Sequence, residues 1–144
     1  MTGEVVSIWI KRSHRGVMDA VDEAQAVAGR GLVGNADQGR RRQVTIIDEE
    51  AWNAAAAETG HRVDPSKRRA NIMLRGIALA ESRGRHLRIG NCLVHILDET
   101  RPCERMEEAQ PGLRKALGTA WRAGVFGEIV EGGSIRIGDG AELV

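Results

Sequence analysis

The chain has 144 residues, 42% of them apolar and 28% charged, which is the size and balance of one globular domain and excludes disorder or collagen-like repetition. Its 21 basic and 20 acidic side chains leave a net charge of +1, not the strongly basic footprint of a nucleic-acid binder. Three Trp, one Phe and no Tyr leave few platforms for stacking bases, so the core must come from Val, Ile, Leu and Ala.

Val5 to Ile10 reads as a first strand, rich in β-branched residues. Lys11 to Gly16 is a basic turn, and Val17 to Ala28 has apolar residues with no single period. Residues 29–39 form a glycine-punctuated loop, Gly-Arg-Gly-Leu-Val-Gly-Asn-Ala-Asp-Gln-Gly, whose glycines permit positive φ or a close backbone approach. Arg40, Arg41 and Arg42 lead into a strand over Gln43 to Ile47. Asp48 is placed to cap a helix that carries Glu49 and Glu50 in its first turn, runs through Ala51 to Glu58 and ends at Gly60. Ala70 to Leu74 reads as a strand after Pro65. Two stretches echo each other: Leu87 to Asn91 before Cys92 to Leu97, and Ile135 to Asp139 before Ala141 to Val144. Each carries a Gly-Asn or Gly-Asp hairpin signal. Between them the pattern predicts helices over Glu104 to Ala109 and Leu113 to Arg122, then a hairpin of Val125–Val130 with Ser134–Ile137 around Gly132 and Gly133. The whole is a β-rich α+β domain, barrel-like, with two or three peripheral helices, and it lacks strand–helix alternation.

No secretory leader is legible: Glu4 interrupts the opening residues, and Lys11 and Arg12 follow. No apolar run approaches the ~20 residues of a membrane span. Two cysteines, Cys92 and Cys103, do not make a disulfide framework. The expectation is a cytoplasmic protein with free thiols and no membrane or nucleic-acid partner.

Cys103 is the first candidate for chemistry. It follows Pro102, opens a short predicted helix, and lies between Arg101 and Arg105, opposed by Glu104, Glu107 and Glu108. Cations and a helix start favour a thiolate. Cys92, inside an apolar strand, reads as a small buried hydrophobe. The basic residues are 18 Arg and 3 Lys. Residues 1–90 carry 15 basic and 11 acidic side chains, net +4; residues 91–144 carry 6 and 9, net −3. Two clusters stand out, Arg40 to Arg42 and Lys67 to Arg69 with Asn71 two residues on. If their side chains converge they form an anion site, since guanidinium forks grip phosphate in a bidentate way; otherwise they are solvated surface. Arg69 and Asn71 stand two apart and would share one face of an extended segment. His14, His61, His86 and His95 lack zinc-ligand spacing, and there is no Walker loop and no Gly-x-Ser-x-Gly elbow.

In this order the pieces resemble the MOSC domain, named for the C-terminal domain of molybdenum-cofactor sulfurases. The matching residues are the opening strand ending in Lys11 and Ser13, the loop at 31–39, and Arg41-Arg42-Gln43-Val44-Thr45-Ile46-Ile47. Arg69-x-Asn71-Ile72 with Gly76, Leu87-Arg88-Ile89-Gly90, Thr100-Arg101-Pro102-Cys103 and Gly124-Val125-Phe126-Gly127 complete the set. The resemblance implies one MOSC domain over residues 1–144, with a β-barrel core related to the barrel domain of pyruvate kinase. Family members bind the molybdenum cofactor or carry sulfur. In the related amidoxime-reducing enzymes the cysteine matching Cys103 ligates molybdenum, and basic residues with the Asn of the Arg-x-Asn motif hold the pterin phosphate. Carried over, Cys103 is the metal ligand or persulfide carrier, and Arg69, Asn71, Arg42, Arg41 and Lys67 contact the molybdopterin. Asn35 and Asp37 stand where many members have Asp and His. No aminotransferase-like domain is visible, so no pyridoxal phosphate is expected in this domain, and a protein must donate the electrons or sulfur.

The resemblance implies a molybdenum-dependent oxidoreductase or a sulfur-transfer protein. The alternative is a non-catalytic binding module for an anionic nucleotide or metabolite, in which the Arg clusters remain and Cys103 is dispensable.

Overall fold

The computed structural model describes residues 2–144. Its centre is a barrel of seven strands: β1 (Thr2–Lys11), β6 (Ile72–Arg75), β5 (Val44–Asp48), β9 (Val125–Glu131), β8 (Cys92–Glu99), β7 (His86–Ile89) and β11 (Gly140–Leu143). The pairing of β11 with β1 closes it. β2 (Met18–Val21) hangs on the outer half of β1. A separate sheet of β10 (Gly133–Arg136), β3 (Glu23–Val27) and β4 (Gly31–Leu32) contributes Ala24, Ala26, Leu32 and Ile135 to the core that fills the barrel. The β-rich α+β barrel expected from the sequence is therefore the architecture found.

β1, β5 and β6 read as nearly continuous apolar runs because both of their faces are buried. Ile8, Ile10, Val44, Ile46, Ile72 and Leu74 point into the barrel. Trp9, Ile47 and Met73 point outward into a second core, built with Trp52, Ala55, Met106, Leu113 and Leu117 of the helices. Those helices are α1 (Glu49–Glu58), α2 (Glu104–Ala109) and α3 (Leu113–Leu117). Asp48 caps α1 as its sequence suggests, its carboxylate accepting from the Ala51 N–H at 2.7 Å. β8 has one solvated face and alternates accordingly: Cys92, Val94 and Ile96 are buried, Leu93 and His95 half-buried.

Three sequence expectations are corrected. The helix predicted from Leu113 does not reach Arg122: it ends at Leu117, Gly118 caps it, and Ala120 and Trp121 adopt left-handed φ of 55° and 61°. Val125–Val130 and Ser134–Ile137 are not a hairpin, because β9 pairs with β5 and β8 while β10 pairs with β3. The Gly138–Asp139 turn likewise joins two sheets rather than two paired strands. It bonds back to Val5 through the Gly138 N–H at 2.8 Å and the Asp139 carbonyl at 2.9 Å. At both glycine turns the local chemistry is that of a turn, but it does not say which sheet the next strand joins. The Gly90–Asn91 turn does join a paired hairpin, β7 with β8.

Barrel closure depends on backbones that pass too closely for side chains. A Cβ at Gly127 would collide with the His95 carbonyl across the β8–β9 pair. Gly140 lies in open space with ordinary φ. Gly127→Ala is expected to lower stability by about 1–3 kcal/mol, and Gly140→Ala to stay within about 0.5 kcal/mol. Denaturant midpoints at constant slope check this; equal losses would mean that the β8–β9 spacing is not limiting.

Candidate functional site

Two crossings bring the basic cluster and the thiol to one place. β5 and β6 are parallel, so the chain between them must travel the length of the barrel and return. It does so through α1 and then a 3-10 turn over Pro65–Arg68. Asp64 starts that turn by accepting from the Ser66 N–H at 2.9 Å, and Pro65 supplies the fixed φ of a first helical position. The second crossing leaves β8 through Thr100–Pro102 and enters α2, whose N-cap is Cys103.

The result is a cavity of about 960 Å³, lined among others by Lys67, Arg69, Cys103, Arg105 and Arg114. Glu104 and Glu108 lie on its wall as well, so four basic and two acidic side chains surround the exposed thiol. Cys92 is fully buried in the barrel, and burial pushes its thiol up to about 11. The two cysteines are free and differently placed.

The predicted site residues separate into groups. Lys67, Arg69 and Cys103 share the large cavity. Arg42 and Arg40 line a second one of about 380 Å³ with His14 and Asp37; the Arg42 guanidinium lies 5.0 Å from the centre of the Phe126 ring. Arg41 is exposed and lines neither. Asp37 binds Lys11 at 2.8 Å and exerts a favourable field on Arg69. Burial and then the charge of Arg105 hold the Arg69 guanidinium below its ordinary value.

The Arg69–Asn71 segment is not extended. Arg69 ends the 3-10 turn in a left-handed conformation with φ 63°, so the alternation argument does not apply there. The Asn71 amide is engaged inside the protein. Its Oδ1 accepts from the Thr45 N–H at 3.1 Å, and its Nδ2 donates to the Trp9 carbonyl and to Asn35 Oδ1, both at 3.1 Å. Asn35 Oδ1 also accepts from the Lys11 N–H at 2.9 Å. With both neighbours donating to its oxygen, Asn35 leaves its own Nδ2 buried without a protein partner, a state that costs about 1–3 kcal/mol unless a water or ligand fills it. Asn71 therefore ties β1, β5 and the glycine loop together.

Arg68, between the two residues singled out from sequence, is the group that pattern reading missed. It is 8% exposed. Its Nε donates to the Ala123 carbonyl at 2.8 Å and its Nη2 to the Thr100 hydroxyl at 2.5 Å. Thr100 in turn donates to Ala123 at 2.6 Å. This clamp fixes the approach to Cys103. The Asp64-Pro65 start of a short helix was the available signal: it takes Lys67 and Arg68 out of an extended segment and into a helical turn.

Among the described residues no three His, Cys, Asp or Glu side chains are grouped to hold a metal ion. A metal at Cys103 would thus have to arrive with its other ligands. The large cavity, its exposed Cys103 sulfur and its basic wall fit a group of that kind, an anionic organic cofactor carrying a soft metal. In the folded protein at neutral pH, iodoacetamide is expected to modify Cys103 and leave Cys92 untouched until unfolding, as peptide mapping would show. Comparable rates at the two positions would contradict the placement of Cys92.

The fold is shared with solved bacterial structures. The YuaD protein of Bacillus subtilis superposes with a TM-score of 0.83 at 22% identity, covering 99% of this chain and 96% of that one. YiiM from Escherichia coli gives 0.75 at 19% identity over 100% and 70% of the two chains. YiiM from Geobacillus stearothermophilus gives 0.72 at 19%, over 99% and 75%. No curated protein matches the sequence significantly. The MOSC domain family matches residues 33–142, a stretch that holds the second half of the glycine loop, the buried Asn71 and every lining residue of the Cys103 cavity except Val17 and Met18, and the chain belongs to that family, which is associated with binding of the molybdenum cofactor.

Proposed function

We propose that residues 1–144 act as a single cytoplasmic domain that binds a molybdopterin-type cofactor in the Cys103 cavity, with Cys103 as the protein ligand of the metal. One observation carries the reading: the exposed thiol shares a cavity with Lys67, Arg69, Arg105 and Arg114. A thiolate is a soft ligand suited to molybdenum, and guanidinium forks suit a phosphate. Arg69 and Lys67 would hold an anionic group of the cofactor, and Arg42, which lines a separate cavity, would extend that grip. Asn71 supports the site by fixing β1, β5 and Asn35. When bound, the cofactor would supply a metal centre able to exchange electrons with a substrate; a protein partner would deliver those electrons. No helix among the described residues is long and apolar enough to cross a membrane.

Sulfur transport is the competing use of the same thiol. There the Cys103 thiolate attacks the outer sulfur of a donor persulfide, releasing the donor thiolate and leaving a persulfide on Cys103. Passing that sulfur on within the chain would need a second accessible thiol, and Cys92 is sealed in the barrel. Ligation is the better fit for that reason.

The two uses separate in protein made in a cofactor-competent host. Ligation predicts that Cys103→Ser loses most of its bound molybdenum and that wild type carries little persulfide. Stoichiometric persulfide in wild type without retained molybdenum would overturn ligation in favour of the carrier.

A further inference from the structure

His86 and His95 form a pair that the Cys103 cavity leaves unused. They lie on the neighbouring antiparallel strands β7 and β8, directly opposite each other in register. The His86 carbonyl accepts from the N–H of Val144, just past β11, at 2.9 Å. The backbone groups of His86 therefore face away from β8. A cross-strand pair of that kind is the non-hydrogen-bonded type, whose side chains stand closest. Leu87, Val94 and Ile96 belong to the core that fills the barrel, so by alternation both histidines point out of it. Their imidazoles are stacked, with centroids 4.8 Å apart and planes 15° from parallel.

Both residues are half-buried. No hydrogen bond from another described residue engages either ring, and neither ring has a nitrogen sealed from solvent. The charge around the pair is mainly negative. β9 places Glu128 opposite His95, and Glu128 forms no ion pair among the described residues. Arg88, two residues along β7 from His86, is paired with Glu131 of β9 at 3.0 Å. β11 sets Glu142 opposite Arg88, and Arg85, just before β7, is exposed. Three carboxylates thus stand near the pair against two guanidiniums, one of them already neutralised.

We propose that His86 and His95 chelate one divalent late transition-metal ion on the outer face of the barrel, with water in its remaining positions. Neutral imidazole suits ions of the nickel, copper and zinc group. Two imidazole nitrogens bound side by side at about 2.0–2.1 Å from one ion are about 3 Å apart. Rotation about χ2, a broad torsion in histidine, turns the stacked rings toward that arrangement. The paired strands already hold the two ligands together, so binding orders only side chains. Among the described residues no third His, Cys, Asp or Glu completes the set, which leaves the other positions to water. None of these residues lines the Cys103 cavity, so the site neither needs the proposed cofactor nor stands on it.

The probe is Ni2+, with Mg2+ as the hard-cation control, added to untagged protein whose Cys103 has been blocked with iodoacetamide. Calorimetric titration at about pH 7.5 is expected to show one Ni2+ per chain. Ni2+, and not Mg2+, should raise the thermal unfolding midpoint, as a ligand of the folded state must. Affinity should fall by about tenfold or more at about pH 5.5, because both imidazoles must be neutral to bind. His86→Gln and His95→Gln should each cost about tenfold or more, since each removes half of the chelate, while His61→Gln should change nothing. In the unsubstituted protein Ni2+ should slow the modification of His86 and His95 by diethyl pyrocarbonate, a readout that needs no variant to fold. No difference between Ni2+ and Mg2+ overturns the proposal. So do unprotected His86 and His95, undiminished affinity in the double variant His86→Gln with His95→Gln, or loss of binding in His61→Gln.

Discussion

One parallel strand pair in an otherwise antiparallel barrel sets the position of everything that could act. β5 and β6 run the same way, and a tight turn cannot join parallel neighbours. The connection must cross over the outside of the barrel. α1 makes that crossing and buries Trp52 and Ala55 against Ile47 and Met73. The apolar cover then ends in the 3-10 turn, which places Lys67 and Arg69 at the cavity and Arg68 behind it. The helices of the Cys103 segment join the same second core through Met106 and Leu113. Hydrophobic burial on the barrel's outer face thereby holds thiol and cations within one site.

The polar network around Asn71 has a different role. Asn71 satisfies a strand N–H of β5 and the Trp9 carbonyl of β1, and through Asn35 it fixes the glycine loop. Lys11 and Asp37 continue that link at the surface. Beside it, the Arg68–Thr100–Ala123 clamp joins the 3-10 turn, the end of β8 and the turn after α3. That last turn includes two residues in left-handed conformation, Ala120 and Trp121. Such backbone persists only where surrounding contacts determine it. Arg68 and Thr100 supply two of those contacts, both to the Ala123 carbonyl.

The barrel was legible because strand patterning records burial. The β-branched stretches Val5–Ile10 and Gln43–Ile47 marked strands, while Cys92–Leu97 is apolar except for His95 and alternates only in burial. Asp48 announced its helix through the capping rule. What could not be read was topology after a turn: Gly132–Gly133 and Gly138–Asp139 look like hairpin turns, and each moves the chain to another sheet. The site was legible in part. Cys103 stood out by its neighbours, and Arg69 and Lys67 reached its cavity. Arg68 did not stand out, because its burial depends on a helical turn and on Ala123, 55 residues away. Asn71 was visible as a polar residue in an apolar strand, but its partners lie 26, 36 and 62 residues distant, beyond any local pattern.

Cofactor binding in the cavity around Cys103 is tested most directly by molybdenum analysis together with pterin fluorescence on wild-type protein purified from a cofactor-competent host. The expected result is molybdenum and pterin in equal amounts, approaching one of each per chain, with Cys103 protected from alkylation. Protein that carries neither, with Cys103 fully reactive, would contradict it.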